Sequence, residues 1–183
     1  MFNISKELGD YGLYITNCLS DIPSILDAIN DLKSEPTRIG SYVLLRQGMA
    51  KNNAWEIIND AMVRTMSIYV DHFKENINNY IISKDAYDIK TWDIGGNVGF
   101  HTDSWKEDGE LKVPAISIIM YFTDKYEGGE LIFPNKIYES SDLDLIIKPE
   151  AGSMAIFKSD TLHRVSPVIS GKRISTDINY MNK

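Results

Sequence analysis

The chain has 183 residues, of which 43% are hydrophobic and 25% charged, and its formal net charge is −7. These values predict one soluble globular domain that buries roughly 70% of the surface of its unfolded chain. The acidic balance argues against general binding to nucleic acid or to a membrane surface, although it leaves room for a local basic patch.

The cellular location is predicted from features that the sequence lacks. Cys18 is the only cysteine, so an internal disulfide and a cysteine-based metal site are excluded, which fits a reducing compartment. The first residues lack a basic region followed by an apolar run, and no apolar stretch approaches ~20 residues. We therefore expect a cytoplasmic protein without a signal peptide or a transmembrane helix. The oligomeric state is not predicted.

The N-terminal part predicts a short strand followed by a helix. Residues 12–16 form the strand, and Ser20 or Asp21 caps the helix, with Pro23 in its first turn. Apolar residues then recur at helical spacing over residues 22–32. This apolar stripe predicts a helix that packs against a sheet.

A second strand and a longer helix follow. The run SYVLL at residues 41–45 predicts the strand. Asn52 or Asn53 caps the helix, whose apolar face continues over several turns to Phe73. His72 lies in this helix. Since a lone helical histidine is usually packed or solvated, we leave it out of the candidate site.

From residue 86 onward, short β-rich runs alternate with turns rich in Gly, Pro, Asn and Asp. About eight short strands at this spacing indicate a double-sheet jelly roll or a related barrel. The fold class is therefore mainly β, with two N-terminal helices in about residues 1–80 that buttress the outer face within one domain of residues 1–183. The predicted strands cover residues 87–92, 100–103, 115–122, 131–133, 143–147, 153–157, 163–165 and 173–180.

His101, Asp103 and His163 are the candidate metal ligands. Residues two apart on a strand share a face, so His101 and Asp103 can reach one ion if the strand persists or turns gently. His163 joins them if its strand folds back beside the first. Two imidazoles and one carboxylate form the facial triad of non-haem Fe(II) oxygenases, which leaves the other side of the metal open. The His-x-Asp pair alone is weak support, because it occurs often by chance.

An arginine ten residues after His163 suits a dicarboxylate bound at the open metal positions. The guanidinium of Arg173 is permanently charged and can donate two parallel hydrogen bonds to one carboxylate. Lys172 is the alternative, but adjacent strand residues face opposite ways, so only one of the two points inward. An ordinary edge-strand arginine is the simpler interpretation when Arg173 is taken alone.

Four segments together resemble the 2-oxoglutarate and Fe(II)-dependent dioxygenases, and more narrowly their prolyl 4-hydroxylase-like branch. The resemblance covers residues 87–180, about half of the chain. It implies a double-stranded β-helix (jelly-roll, cupin-like) core, with the catalytic β core in about residues 86–180. The segments are HTD (101–103), YFTDKYEGGELIFP (121–134), KPEAGSMAIF (148–157) and HRVSPVISGKRIS (163–175).

The resemblance assigns the principal roles. It implies that His101, Asp103 and His163 ligate Fe(II), and that Arg173 pairs with the far carboxylate of 2-oxoglutarate. Many family members carry Lys at the position of Arg173, which leaves Lys172 as the neighbouring alternative. Other divalent metals such as Zn and Mn also suit these ligands.

Three further residues are implied to line the co-substrate pocket. Tyr121 matches a family tyrosine whose hydroxyl also reaches the 2-oxoglutarate carboxylate. Trp92 stands where relatives usually carry Tyr, and its bulkier indole can donate only one hydrogen bond. Leu131 follows the Gly-Gly-Glu turn and is expected to line the pocket. Each of the three is otherwise explained as a core residue.

The resemblance also implies the reaction. O2 converts 2-oxoglutarate to succinate and CO2 while the substrate is hydroxylated. Asp103 predicts hydroxylation, because related halogenating enzymes lack this carboxylate. Prolyl 4-hydroxylation of a peptide or protein is the first expectation, and a free amino acid, another small molecule or, less favoured, a nucleic acid is the alternative substrate. Whether ascorbate is needed as a reductant is left open.

Two questions remain open at the level of sequence. A non-catalytic, cupin-like metal-binding module is a further alternative, although Arg173 and Tyr121 argue against it because a simple metal binder needs no dicarboxylate clamp. Residues 33–53 and 104–110 are interpreted either as lids beside the metal or as solvated loops.

Overall fold

The computed structural model describes residues 2–8, 12–83, 86–134 and 144–183. Its helices are α1 Ile22–Asp31 and α2 Ala54–Phe73, with a short 3-10 helix at Ile77–Asn79. The strands are β1 Asn3–Glu7, β2 Gly12–Thr16, β3 Glu35–Thr37, β4 Gly40–Arg46, β5 Tyr80–Ile82, β6 Ala86–Trp92, β7 Val98–His101, β8 Trp105–Glu107, β9 Glu110–Lys112, β10 Ile116–Tyr121, β11 Tyr126–Gly128, β12 Leu131–Phe133, β13 Leu145–Ile147, β14 Met154–Lys158, β15 His163–Val165, β16 Val168–Gly171 and β17 Arg173–Asn182.

Two antiparallel sheets form the body of the molecule. The larger runs in the order β1-β2-β14-β10-β17-β6-β4-β3, with β5 added beside β17, and the smaller runs β13-β12-β15-β7. Apolar side chains from both sheets meet in one buried cluster, so the sheets face each other. The mainly β, double-stranded β-helix class predicted from the sequence is confirmed.

Successive side chains of β10 point to opposite faces of the larger sheet. Ile118 and Met120 pack into the cluster that contains the helices, whereas Ile119 and Tyr121 pack into the cluster between the sheets. All four side chains are buried, which explains why this strand reads as an uninterrupted apolar run. The two helices therefore cover the outside of the larger sheet, as expected, and its other face is left for the site.

Side-chain hydrogen bonds lie at the start of both helices, although Asn53, the N-cap residue of α2, makes none itself. Asp21 caps α1 by accepting from the backbone N–H of Ser24 at 3.1 Å. At α2 the side chain of Asn52 accepts from the N–H of Ala54 at 3.1 Å and donates to the carbonyl of Ser24 at 2.7 Å, which ties the two helices together. Within the described residues, neither helix combines the length and hydropathy that a membrane span requires.

The structure differs from the sequence-based expectation mainly in short elements. Residues 33–53 are only partly loop, because residues 35–46 form the β3–β4 hairpin at the edge of the larger sheet, which includes the strand predicted at 41–45, while residues 47–53 form turns. Residues 104–110 lie largely in the β8–β9 hairpin, whose turn places Asp108 and Gly109 at positive φ. Leu143, expected at the start of a strand, lies outside the described residues. The missed strands are β1, β3, β5, β8, β9, β11 and β16, which have only three to five residues.

Candidate active site

The three candidate ligands meet at one edge of the smaller sheet. His101 and His163 are directly opposed in the β7–β15 pair. Strand β7 ends at His101, so Asp103 lies in the bend that follows, where its backbone N–H donates to the carbonyl of Ser159 at 2.9 Å. One Asp103 carboxylate oxygen lies 3.5 Å from Nε2 of His101 and 3.8 Å from Nε2 of His163. All three ligand atoms are within 4.8 Å of one another, which is close enough to bind one ion.

Backbone carbonyls orient both imidazoles. Nδ1 of His101 lies 2.9 Å from the carbonyl of Gly99, and Nδ1 of His163 lies 2.9 Å from the carbonyl of Thr161. A carbonyl can only accept, so each Nδ1 carries the proton when the ring is neutral, and each Nε2 keeps its lone pair. The two lone pairs face Asp103. This arrangement is the one that metal-bound histidines adopt.

Electrostatics favour the metal-binding charge state for Asp103 and His163, but not for His101. The hydrogen bond with Asp103 raises the pKa of His101, whereas burial lowers the pKa of His163, which is 2% exposed. Burial would raise the pKa of Asp103, but its hydrogen bond with His101 and the nearby His163 lower it. The carboxylate is therefore ionised and His163 neutral near neutral pH, as metal ligands must be.

Arg173 lies across a small cavity from the three ligands. It is the first residue of β17 and is only 1% exposed, whereas Lys172 is exposed. The guanidinium carbon lies 4.4 Å from the centre of the Trp92 ring and 5.1 Å from that of Tyr121, and Nη1 donates to Ser175 at 2.7 Å. Of the two basic residues considered, Arg173 is the one that points inward.

Three polar groups around Arg173 lack a partner of hydrogen-bond geometry among the described residues. They are Nε of Arg173 and the hydroxyls of Tyr121 and Tyr126. Leaving such groups unsatisfied in the interior costs about 1–3 kcal/mol each, so their convergence requires an explanation. All three can donate a hydrogen bond, which fits a buried carboxylate.

A cavity of about 110 Å³ joins the guanidinium to the three ligands. The candidate metal ligands and Arg173 therefore open onto the same partly open space, which is large enough for a few non-hydrogen atoms without rearrangement. Its walls are formed by Lys90, Trp92, Val98, His101, Asp103, Ile119, His163, Val165, Arg173, Ser175 and Asp177.

The remaining predicted residues lie as follows. Trp92 lines the cavity, but its indole N–H already donates to Ser175 at 3.0 Å, so that donor is engaged within the protein. Leu131 is fully buried between the sheets and pairs with Val165, which does line the cavity. A lining role for Leu131 itself remains a prediction. His72 lies on α2, outside this group of residues, with its Nε2 3.4 Å from the carboxylate oxygen Oε1 of Glu7.

Sequence reasoning missed Tyr126. Its hydroxyl is buried, the pKa of the phenol is raised to about 12 by burial, and the guanidinium of Arg173 opposes that rise. Gly129 makes the approach possible, because a Cβ at this residue would lie 2.8 Å from Cδ of Arg173 and 3.1 Å from the Tyr126 ring. The sequence feature that could have identified Tyr126 as a site residue is its position just before the Gly-Gly turn.

Comparison with known proteins identifies the family to which the chain belongs. A sequence profile of the 2OG-Fe(II) oxygenase superfamily matches residues 87–181, just over half of the chain. The chain belongs to this superfamily. Its cofactors are accordingly Fe(II) and 2-oxoglutarate, and the predicted family is confirmed. The matched region includes both the three candidate ligands and Arg173.

Individual relatives agree with this superfamily. A PKHD-type hydroxylase from Rippkaea orientalis is 30% identical over 124 residues, which are 66% of this chain and 50% of that protein. The chain spans about half or less of the PKHD-type hydroxylases that it matches.

Solved structures of 2OG-Fe(II) oxygenases share the fold. A viral collagen prolyl hydroxylase from Paramecium bursaria Chlorella virus-1, in complex with 2-oxoglutarate, aligns with a TM-score of 0.68 at 21% identity and covers 96% of this chain and 97% of that one. A Trichoplax adhaerens prolyl hydroxylase, bound to a hypoxia inducible factor peptide fragment, aligns with a TM-score of 0.60 at 17% identity. The alignment covers 95% of this chain and 84% of that one.

The Gly129→Ala substitution tests whether the part of the cavity around Arg173, here called the carboxylate pocket, binds 2-oxoglutarate. It leaves every hydrogen-bond donor of that pocket in place. We expect Gly129→Ala to push the Arg173 side chain away and weaken 2-oxoglutarate binding by roughly tenfold or more, the scale of one hydrogen bond to a charged group. Metal affinity should stay unchanged. Isothermal titration of Mn(II) into the metal-free protein, and then of 2-oxoglutarate into the Mn(II)-loaded protein, measures the two affinities.

Gly48→Ala is the matched control. Gly48 also has a positive φ, +77° against +65° for Gly129, but no atom lies within 4 Å of its would-be Cβ. Both variants carry comparable backbone strain. Equal losses of 2-oxoglutarate affinity in the two variants would contradict the assignment of this pocket.

Proposed function

We propose that the chain is a 2-oxoglutarate-dependent dioxygenase in which His101, Asp103 and His163 bind Fe(II). Arg173, Tyr121 and Tyr126 would hold the far carboxylate of 2-oxoglutarate, and Trp92 would form the wall beside it. The observation that carries the proposal is the shared cavity, whose walls hold the three ligand atoms and the Arg173 guanidinium, with the buried hydroxyls of Tyr121 and Tyr126 behind that guanidinium. A module that bound only a metal would not need the buried guanidinium of Arg173 and the hydroxyls beside it.

Each residue has a defined task in this proposal. Fe(II) and 2-oxoglutarate, when bound, would react with O2, one oxygen atom of which goes to the hydroxylated substrate and the other to succinate as CO2 is released. The Arg173 guanidinium neutralises and orients the carboxylate, and its contact with Ser175 keeps it aimed into the cavity. Ile119 and Val165 line the cavity with apolar surface and limit the entry of water.

A peptide or protein is the substrate class that we infer first, with proline as the hydroxylated residue. A groove of about 410 Å³ adjoins the cavity and shares Lys90 and Val98 with it. This groove could receive an extended chain whose target residue enters the cavity. A peptide ligand in the Trichoplax prolyl hydroxylase, which has the same fold, supports this choice. The groove is formed by Thr37, Arg38, Ile39, Tyr42, Asp88, Lys90 and Val98.

A free amino acid or another small polar molecule is the second candidate. Lys90 and Asp177 form an ion pair across neighbouring strands, and both line the cavity. A charged wall beside the metal suits a polar substrate better than the apolar ring of proline. The two candidates therefore differ in the chemical group that meets this ion pair.

We also infer that the helical and β parts act as one domain of residues 1–183. One continuous apolar cluster supports this inference, since Ile25 of α1 and Met66 of α2 share it with Leu45, Ile118 and Ile178 of the larger sheet. The helices would then stabilise the sheet that carries Arg173 rather than bind substrate themselves.

The first experiment is 2-oxoglutarate turnover. Protein prepared without O2, supplied with Fe(II) and 2-oxoglutarate and then exposed to O2, should form succinate even without substrate. Arg173→Lys keeps the positive charge but cannot donate two parallel hydrogen bonds to one carboxylate, so the KM for 2-oxoglutarate should rise roughly 10- to 100-fold. Lys172→Ala, next along the chain and exposed, should leave KM unchanged. Absence of succinate from the parent protein, with and without a peptide library, would refute the proposed function.

Mass spectrometry of the same peptide library identifies the substrate class. We expect peptides that gain one oxygen on proline, with Fe(II), 2-oxoglutarate and O2 all required. The Asp103→Ala variant is the negative control, because it removes a proposed metal ligand. A gained oxygen on another residue would reject proline, and turnover stimulated only by free amino acids would favour the second candidate.

A further inference from the structure

The groove of about 410 Å³ beside the cavity has two basic side chains in its walls, and they differ in their electrostatic surroundings. Lys90 forms an ion pair with Asp177, so its charge is compensated within the protein. Arg38 is exposed, and its guanidinium forms no ion pair or hydrogen bond with any residue that the structure describes. In particular, it is not paired with Asp88, the carboxylate that lines the same groove. One positive charge of the groove is therefore left uncompensated.

The position of Arg38 is fixed by the residue that follows it. Arg38 and Ile39 form the turn of the β3–β4 hairpin. The carbonyl of Ile39 accepts the backbone N–H of Asp93 at 2.9 Å, and its side chain packs against the apolar cluster that contains Trp92 and Val165. Both of these cluster residues line the cavity. The turn is thus attached to the walls of the site, and this attachment does not use the Arg38 side chain.

The other carboxylate of the hairpin is also paired elsewhere. Glu35 of β3 forms an ion pair with Lys33 at 2.8 Å. The rest of the groove offers apolar surface from the half-buried Ile39, Tyr42 and Val98. A chain lying in the groove would therefore contact apolar walls and one free guanidinium.

An uncompensated guanidinium at this place suits a carboxylate of the substrate, which it can bind through two parallel hydrogen bonds. The chain has a net charge of −7, so its overall field repels an acidic molecule. Selection of an acidic substrate would therefore depend on a short-range contact. Arg38 is placed to make that contact just outside the cavity.

We propose that Arg38 is a specificity-determining residue that pairs with an Asp or Glu side chain of a peptide substrate, a few residues from the hydroxylated position. The proposal rests on the proposed function, since it takes the groove as the path of the peptide. Arg38 lines the groove but not the cavity. The carboxylate of a free amino acid would enter the cavity together with the reacting carbon, so a flanking side chain of a peptide fits Arg38 better.

Peptide binding, measured apart from turnover, tests the proposal. The full-length chain is loaded with Mn(II) and 2-oxoglutarate without O2 and titrated with peptides that carry an uncharged fluorophore, with fluorescence anisotropy as the readout. In each peptide a proline is flanked by alanines, one Asp occupies one flanking position, and both ends are blocked. A matched set carries Asn instead of Asp. At one or two flanking positions the Asp peptide should bind roughly 5- to 10-fold more tightly than its Asn partner, an effect between that of an exposed ion pair and that of a hydrogen bond to a charged group.

Variants of Arg38 assign this preference to its guanidinium. In Arg38→Gln, the Asp and Asn peptides should bind equally, and Arg38→Lys should keep part of the preference. Arg38→Glu should instead favour peptides with Lys at the same position, a reversal that a merely structural role would not produce. Arg64→Gln is the matched control, because it removes the same charge from an exposed arginine of α2, which covers the opposite face of the larger sheet. Urea unfolding checks that all variants fold.

The outcomes separate this proposal from the proposed function. An Asp preference that the parent lacks at every position, that survives Arg38→Gln, or that Arg64→Gln removes equally would overturn the role of Arg38 and leave the oxygenase assignment in place. An Arg38-dependent preference in a parent that forms no succinate would support that role and overturn the proposed function. A parent that binds none of the peptides would overturn the role of Arg38, and absence of succinate from the same parent would overturn the proposed function as well.

Discussion

The cross-strand pairing of His101 with His163 is the constraint on which the rest of the site depends. The rings of these directly opposed residues have centroids 4.3 Å apart. A slip of one residue between β7 and β15 would send one imidazole to the opposite face of the sheet. The register shifts by one residue between the Val165–Val98 pair and the His163–His101 pair. The hydrogen bonds of Gly95 and Gly96 with Val168 therefore fix the Val98 end of the pairing, and the shift beyond it brings the histidines opposite each other.

The second half of the site is set by the larger sheet. Arg173 lies opposite Trp92 on β6, and Ser175 lies opposite Tyr121 on β10, so three adjacent strands bring these groups together. Both sheets line one cavity, so the fold itself brings the three candidate metal ligands and Arg173 to the same space. The inner face tolerates unpartnered donors there at a cost in stability, which is typical of sites shaped for a ligand rather than for folding.

Much of this arrangement could be predicted from sequence, for reasons that differ between residues. The apolar run of β10 and the alternating strands after residue 86 predicted the jelly roll. The His-x-Asp spacing became a prediction of candidate ligands only together with the family resemblance. The end of β7 at His101 was not predictable from alternation, since it depends on Asp103 turning to meet Ser159. Tyr126 was missed because the residue beside it in the fold, Arg173, is distant in sequence. Neighbouring residues give no sign of such contacts, which arise from strand register and sheet packing.

The most direct test of the account is a crystal structure of the chain with Mn(II) and 2-oxoglutarate, prepared without O2. The account predicts an ion bound by Nε2 of His101, Nε2 of His163 and a carboxylate oxygen of Asp103. It also predicts that the far carboxylate of 2-oxoglutarate lies against Arg173 and the hydroxyls of Tyr121 and Tyr126. An ion bound without Asp103, or a 2-oxoglutarate carboxylate placed away from Arg173, would contradict it.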